Sequence, residues 1–169
     1  MTFHELAVAR YSVRKFSDRL VETDKLHSVL ESGRVAPTAR NSQSHRFKIM
    51  TSGDDLAKVD ECTPCRYGAP LVILICYDKT SCYVREYDNE SSGVVDSSIV
   101  TTHLMLAAQD LGLGTCWVMR FDPARTVQLF GLHENLVPMA FLPIGYPAED
   151  CAPSDRHAVR LSMDELIIT

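Results

Sequence analysis

The sequence predicts an α+β or mixed α/β domain, a modest sheet with helices packed on it. Three observations point there. Helical and strand-like patterns are interspersed along the chain without the clean alternation of a parallel α/β protein. The apolar run from Ala69 to Tyr77 has the length and β-branched content of a strand covered on both faces. The stretch from Val94 to Leu111 is helical in period and apolar nearly all round, which marks a central helix. With 169 residues, 46% of them hydrophobic, the chain can bury a sizeable core as one domain spanning 1–169.

Taken in order, Thr2-Phe3-His4-Glu5 reads as a capping box that starts a short helix running towards Arg10. Thr23 can cap a second helix, whose Leu26, Val29 and Leu30 form one apolar face and whose stop is Gly33. Residues 35–44 form a loop rich in short polar side chains, built to offer hydrogen bonds. Strands are expected at Phe47–Thr51 and Pro70–Tyr77. The central helix stops at Gly112, and Thr115–Met119 reads as the next strand. Asp122 and Pro123 are the N-cap and first residue of a helix that Gly131 ends. Leu136–Ile144 makes a last core strand. The tail beyond Gly145 offers Leu161, Leu166 and Ile167 as anchors.

Composition narrows the function. A net charge of −5 argues against a nucleic-acid surface, which needs a basic field. No segment has membrane-spanning length, and the N-terminus lacks the basic flank and apolar stretch of a signal peptide, so a cytoplasmic location is expected. Six cysteines in a chain of this size fit a reduced protein. Cys62-Thr63-Pro64-Cys65 can be a redox dithiol, half of a zinc site, or ordinary cysteines. The absence of a second pair and the position before a strand favour the last, and no metal site is expected.

Hydrolase signatures are missing, and Gly112-Leu113-Gly114 fails as a dinucleotide fingerprint because Trp117 replaces the third glycine. His103 reads as a hydrogen-bonded core residue, while His45 adjoins the polar loop. The most informative feature is the alternation of Arg10, Ser12 and Arg14. In extended chain it sends two guanidiniums and a hydroxyl to one side. Guanidinium forks suit phosphate oxygens and planar acceptor edges. A second basic cluster, Arg156, His157 and Arg160, lies in the tail. On charge pattern alone both clusters can also be solvated faces.

Five segments in order resemble the nitroreductase family. They are Arg10-Tyr11-Ser12-Val13-Arg14-Lys15-Phe16, Ala36-Pro37-Thr38-Ala39-Arg40-Asn41-Ser42-Gln43, Tyr67-Gly68-Ala69-Pro70, the helix leading into Gly112-Leu113-Gly114-Thr115-Cys116-Trp117, and Pro143-Ile144-Gly145-Tyr146-Pro147. The resemblance implies an α/β sandwich with a central, mostly antiparallel sheet flanked by helices, assembled as an intertwined homodimer with FMN at the interface. It implies that Arg10, Tyr11, Ser12 and Arg14 bind the flavin phosphate and pyrimidine edge, helped by Arg160. Pro37, Thr38, Ala39, Asn41 and Gln43 would approach from the partner subunit, and Met119 and Arg120 would present backbone groups to the ring.

The implied activity is electron transfer from NADH or NADPH, through FMN, to a small acceptor such as a nitro compound or quinone. The cofactor carries that chemistry, so no catalytic side chain is expected. Dehalogenation, flavin-consuming chemistry, and flavin binding or thiol sensing without turnover are the alternatives. The chain departs from the family in lacking the insertions that often cover the active site, in Ser44-His45 where a proline is usual, and in Met119-Arg120 where smaller or acidic residues are common. Arg120 can attract an anionic acceptor or point into solvent.

Overall fold

The computed structural model describes residues 1–168; Thr169, the last residue of the expected domain, lies outside them. The elements are α1 (Phe3–Ala9), α2 (Thr23–Arg34), β1 (His45–Met50), α3 (Gly53–Cys62) and β2 (Leu71–Asp78). They continue with α4 (Gly93–Asp110), β3 (Gly114–Thr115), α5 (Pro123–Phe130), β4 (Leu136–Gly145) and α6 (Met163–Leu166). The four strands form one sheet in the order β1-β2-β4-β3, with every neighbouring pair antiparallel. This is the α+β sandwich expected. Among the described residues, no helix is long and apolar enough to cross a membrane.

The sheet is covered on both faces, as the unbroken apolar run of β2 requires. Its Leu71, Ile73 and Ile75 face one way, against Val29 of α2 and Leu104, Met105 and Ala108 of α4. Its Val72, Leu74 and Cys76 face the other way, in a cluster with Val59 of α3 and Phe141 of β4. Burying each such aliphatic side chain contributes about 1.5–3 kcal/mol, so these two layers hold the fold together.

Five local expectations need correction. Thr23 does not cap α2 but is its first residue; Glu22 holds the cap position without a side-chain bond. Gly33 does not stop α2 but lies inside it, because α4 crosses there: a Cβ on Gly33 would sit 2.7 Å from Leu104 Cδ2. The strand expected at Thr115–Met119 keeps regular pairing only at Gly114–Thr115, with one further bridge from Val118 to Phe141. Gly53–Cys62 is a helix that the apolar pattern did not announce, since only Val59 and Cys62 are buried. Leu161, Leu166 and Ile167 do not anchor the tail; all three are more than half exposed. The capping box at Thr2 and the Asp122-Pro123 start with its Gly131 stop stand as expected.

Candidate functional site

The basic segment begins where α1 ends. Arg10 leaves the helix in extended conformation, and the chain then runs beside β3 in a parallel bridge between Ser12 and Thr115. Val13 N–H donates to Thr115 O at 2.9 Å, and Ser17 N–H to Tyr146 O at 2.9 Å. Val13 and Phe16 are buried with Ala69 beneath them. Gly114 permits that approach, since a Cβ there would lie 2.4 Å from Val13 Cγ2. With Val13 turned inward, its neighbours Ser12 and Arg14 are turned towards the surface.

The tail crosses the same surface. After a short turn at Asp155–Ala158 it brings Arg156, His157 and Arg160 opposite Arg10, Ser12 and Arg14. The pocket between them measures about 240 Å³. Tyr11 and Ser154 complete its wall, with the Tyr11 and His157 rings edge to face at 6.2 Å. No carboxylate lines it, and among the described residues none of its four arginines makes an ion pair. Four unpaired guanidiniums facing one space repel each other and favour an anion between them. Burial, and Cys151 close by, push the Tyr11 hydroxyl up, so it remains a neutral donor in that field.

Arg14 also lines a second cavity, of about 220 Å³, with Cys65, Tyr67, Trp117, Met119 and Arg120. The side chain therefore joins the two cavities. Met119 O accepts from Phe121 N–H at 3.1 Å and Arg120 O from Thr63 Oγ1 at 2.6 Å. Among the described residues the N–H groups of Met119 and Arg120 have no acceptor, which leaves two backbone donors at the cavity rim. The Trp117 indole N–H is buried without a partner. Burial raises the Cys116 thiol on the same wall, against the pull of Arg14.

The loop expected to carry Pro37, Thr38, Ala39, Asn41 and Gln43 lies elsewhere on the chain. It lines neither cavity; Ala39 borders a separate hollow with Tyr83, Ser92 and Asp96. Arg40, Asn41 and Gln43 hold left-handed φ values of 52°, 54° and 48°. Asp96 fixes the turn by accepting from Ala39 N–H at 2.9 Å and Ser42 Oγ at 3.3 Å, while Ser92 Oγ donates to it at 2.7 Å.

The structure thus brings Arg10, Tyr11, Ser12, Arg14 and Arg160 together, connects Met119 and Arg120 to them through Arg14, and leaves residues 37–43 apart within one chain. Ser154, Tyr67 and Asp96 were not singled out in the sequence as site residues. Nothing local marks Ser154; Tyr67 opens one of the five family-like segments without being read as a site residue, and Asp96 acts across 57 residues of chain.

Other features carry less. Cys62 and Cys65 are buried and free, and burial raises the Cys62 thiol, which makes it a poor nucleophile. Among the described residues, no group of His, Cys, Asp and Glu could hold a metal. His103 Nδ1 lies 2.9 Å from Ile99 O, so the side chain is hydrogen-bonded to its own helix as expected, but it is half-buried rather than part of the core. A larger groove of about 580 Å³ between α2 and the edge strand β1 is open, and its Arg34 is already paired with Glu31.

A profile of the nitroreductase family matches residues 7–63 and 64–146. A Clostridium difficile 630 nitroreductase family protein of known structure is 38% identical, with a TM-score of 0.94 over 99% of this chain and 98% of that one. A Methanothermobacter thermautotrophicus protein, provisionally named NADH dehydrogenase/NAD(P)H nitroreductase, is 29% identical over 160 residues, covering 89% of this chain and 80% of its own. A provisionally named nitroreductase from Exiguobacterium sibiricum, crystallised with FMN, has the same fold. Its TM-score is 0.85 at 21% identity, over 100% of this chain and 97% of that one.

Proposed function

Because the chain belongs to the nitroreductase family, we propose that it is an FMN-dependent oxidoreductase that passes electrons from NAD(P)H to nitro compounds, quinones or related electrophiles. The observation that carries this reading is the arginine-rich, carboxylate-free pocket built from the two ends of the chain. A phosphate dianion needs several cationic donors at once, and this pocket offers four guanidiniums with no competing carboxylate.

The residues present fit the group. Arg10, Ser12, Arg14 and Arg160, with Arg156 and Tyr11 beside them, would hold the phosphate and one edge of the ring. Arg14, which reaches both cavities, would place a positive charge where a reduced flavin gathers negative charge, favouring reduction. The free N–H groups of Met119 and Arg120 would orient the ring in the second cavity. When bound, the flavin supplies the two-electron chemistry itself.

The same reading includes a homodimer in which residues 37–43 of one chain complete the site of the other. It accounts for an ordered polar loop, with Pro37, Asn41 and Gln43 exposed, that lines no anion pocket of its own chain. It also accounts for exposed apolar side chains at Phe3, Val95, Leu166 and Ile168. Six free cysteines favour a cytoplasmic location.

The visible absorption spectrum tests the proposal. The purified protein should be yellow or take up added FMN. Its colour should bleach with NAD(P)H and return with a nitroarene or quinone. A colourless protein that refuses FMN would overturn the reading.

A further inference from the structure

Between β2 and α4 the chain forms a hairpin over residues 83–92, closed by the Val84–Ser91 bridge and by Ser92 N–H donating to Tyr83 O at 2.8 Å. Its tip is tightly made. Arg85 N–H donates to Glu90 O and Asn89 N–H to Arg85 O, each at 2.9 Å, and Asn89 takes φ 58°. The Arg85 guanidinium forks onto Asp88 at 2.8 and 2.5 Å. On this tip Tyr87 is 97% exposed. An aromatic ring held fully in water by an ordered turn gains nothing for the fold of its own chain.

The hairpin is fastened to the loop at 37–43. The Arg40 guanidinium lies 4.6 Å from the Tyr83 ring centroid and 3.9 Å from Glu86. Asp96 binds both the loop, through Ala39, and the hairpin foot, through Ser92. Wherever the loop goes in the assembled protein, the hairpin goes with it.

We propose that Tyr87 is a specificity-determining residue that stacks on flat aromatic electron acceptors at the mouth of the flavin site. This rests on the flavin reading above, which sets the loop beside the cofactor. The surroundings favour a small planar ligand over a second protein surface. Arg85, Glu86, Asp88, Asn89 and Glu90, its neighbours along the tip, are all exposed and polar, whereas an interface core excludes charge. Because the tip is already ordered, stacking loses little conformational freedom.

The experiment uses FMN-loaded protein and 2-naphthoate, a planar acid that NAD(P)H does not reduce. Calorimetry should show affinity lowered about three- to tenfold in Tyr87→Ala and retained in Tyr87→Phe. The KM for a nitroarene should rise in step, while the KM for ferricyanide, which has no ring to stack, should not follow. Unchanged naphthoate affinity and nitroarene KM in Tyr87→Ala overturn the proposal. So does a fall in its sedimentation coefficient, which would make the ring a contact between copies. A parent protein that binds no FMN, or whose FMN resists NAD(P)H, fails at the earlier step and takes the flavin reading down as well.

Discussion

Asp96, buried in the first turn of α4, accepts the backbone N–H of Ala39 at 2.9 Å. One carboxylate thereby ties the central helix to the polar loop and, through Ser92 and Ser42, gathers three donors. Left-handed conformations at Arg40, Asn41 and Gln43 each cost about 1 kcal/mol or more and persist only where the surroundings dictate them. Asp96→Ala should lower stability by about 1.5–3 kcal/mol, the worth of a hydrogen bond to a charged group. Urea unfolding measures this, and a midpoint equal to the parent's would remove the tie from the account.

The anion pocket makes a second prediction. Arg10→Ala or Arg14→Ala should weaken FMN binding about 10- to 100-fold, because each removes a charge-assisted contact worth about 1.5–3 kcal/mol. Arg160→Ala should act in the same direction. Fluorescence titration at two salt concentrations reads both the loss and its electrostatic origin. Affinities that match the parent's would leave the pocket without a phosphate role.

Gly114 tests how the pocket is aligned. A methyl group there would stand 2.4 Å from Val13 Cγ2 and 3.1 Å from Pro147 Cγ. Both are packed, so Gly114→Ala should cost about 1–3 kcal/mol through overpacking. It should also weaken FMN binding, since Val13 sits between Ser12 and Arg14. A variant as stable as the parent, with the same affinity, would show that the segment yields freely.

Among the carboxylates held below their ordinary range, Glu22 is shifted furthest. The Glu22 carboxylate accepts from Tyr146 OH at 2.7 Å and from Arg19 Nη2 at 2.6 Å. The Tyr146 hydrogen bond first, then Arg19, pulls its pKa from an ordinary 4.5 down to about 2. A folded-state value below the unfolded one stabilises the fold above pH 4.5, and that contribution is lost as pH falls towards 2. Tyr146→Phe removes the larger cause, so the Glu22 titration followed by NMR should move back up. A midpoint still near 2 would assign the effect to Arg19 instead.

Much of the architecture was legible because it is encoded locally. Thr2 with Glu5, and Asp122 with Pro123, announce helix starts by chemistry that needs no tertiary partner. The apolar run of β2 announces burial on both faces, whereas α4, apolar nearly all round in sequence, buries one face and leaves Val94 and Val95 exposed. What escaped depends on distant chain. Gly33 looks like a stop until Leu104 is seen against it, and residues 116–119 look like strand until the pairing thins to single hydrogen bonds from Cys116 and Val118.

The site divides in the same way. Alternation within Arg10, Ser12 and Arg14 reads directly as one face. Convergence with Arg156, His157 and Arg160 is set by how the chain beyond β4 returns beside Lys15 and Phe16. The role of Asp96 and the outward aim of Tyr87 have no signature in neighbouring residues.

Residues 152–168 hold only a short turn and a four-residue helix, and most of their side chains lie open to water. Half the guanidiniums of the anion pocket belong to this stretch. An occupied pocket would staple the carboxyl terminus to the beginning of the chain, and an empty one would leave it to mutual repulsion among like charges. Trypsin cutting at Arg156 or Arg160 would then act as a clock for cofactor loss: slow digestion while the flavin is seated, rapid trimming once it departs, and no way back for the clipped protein.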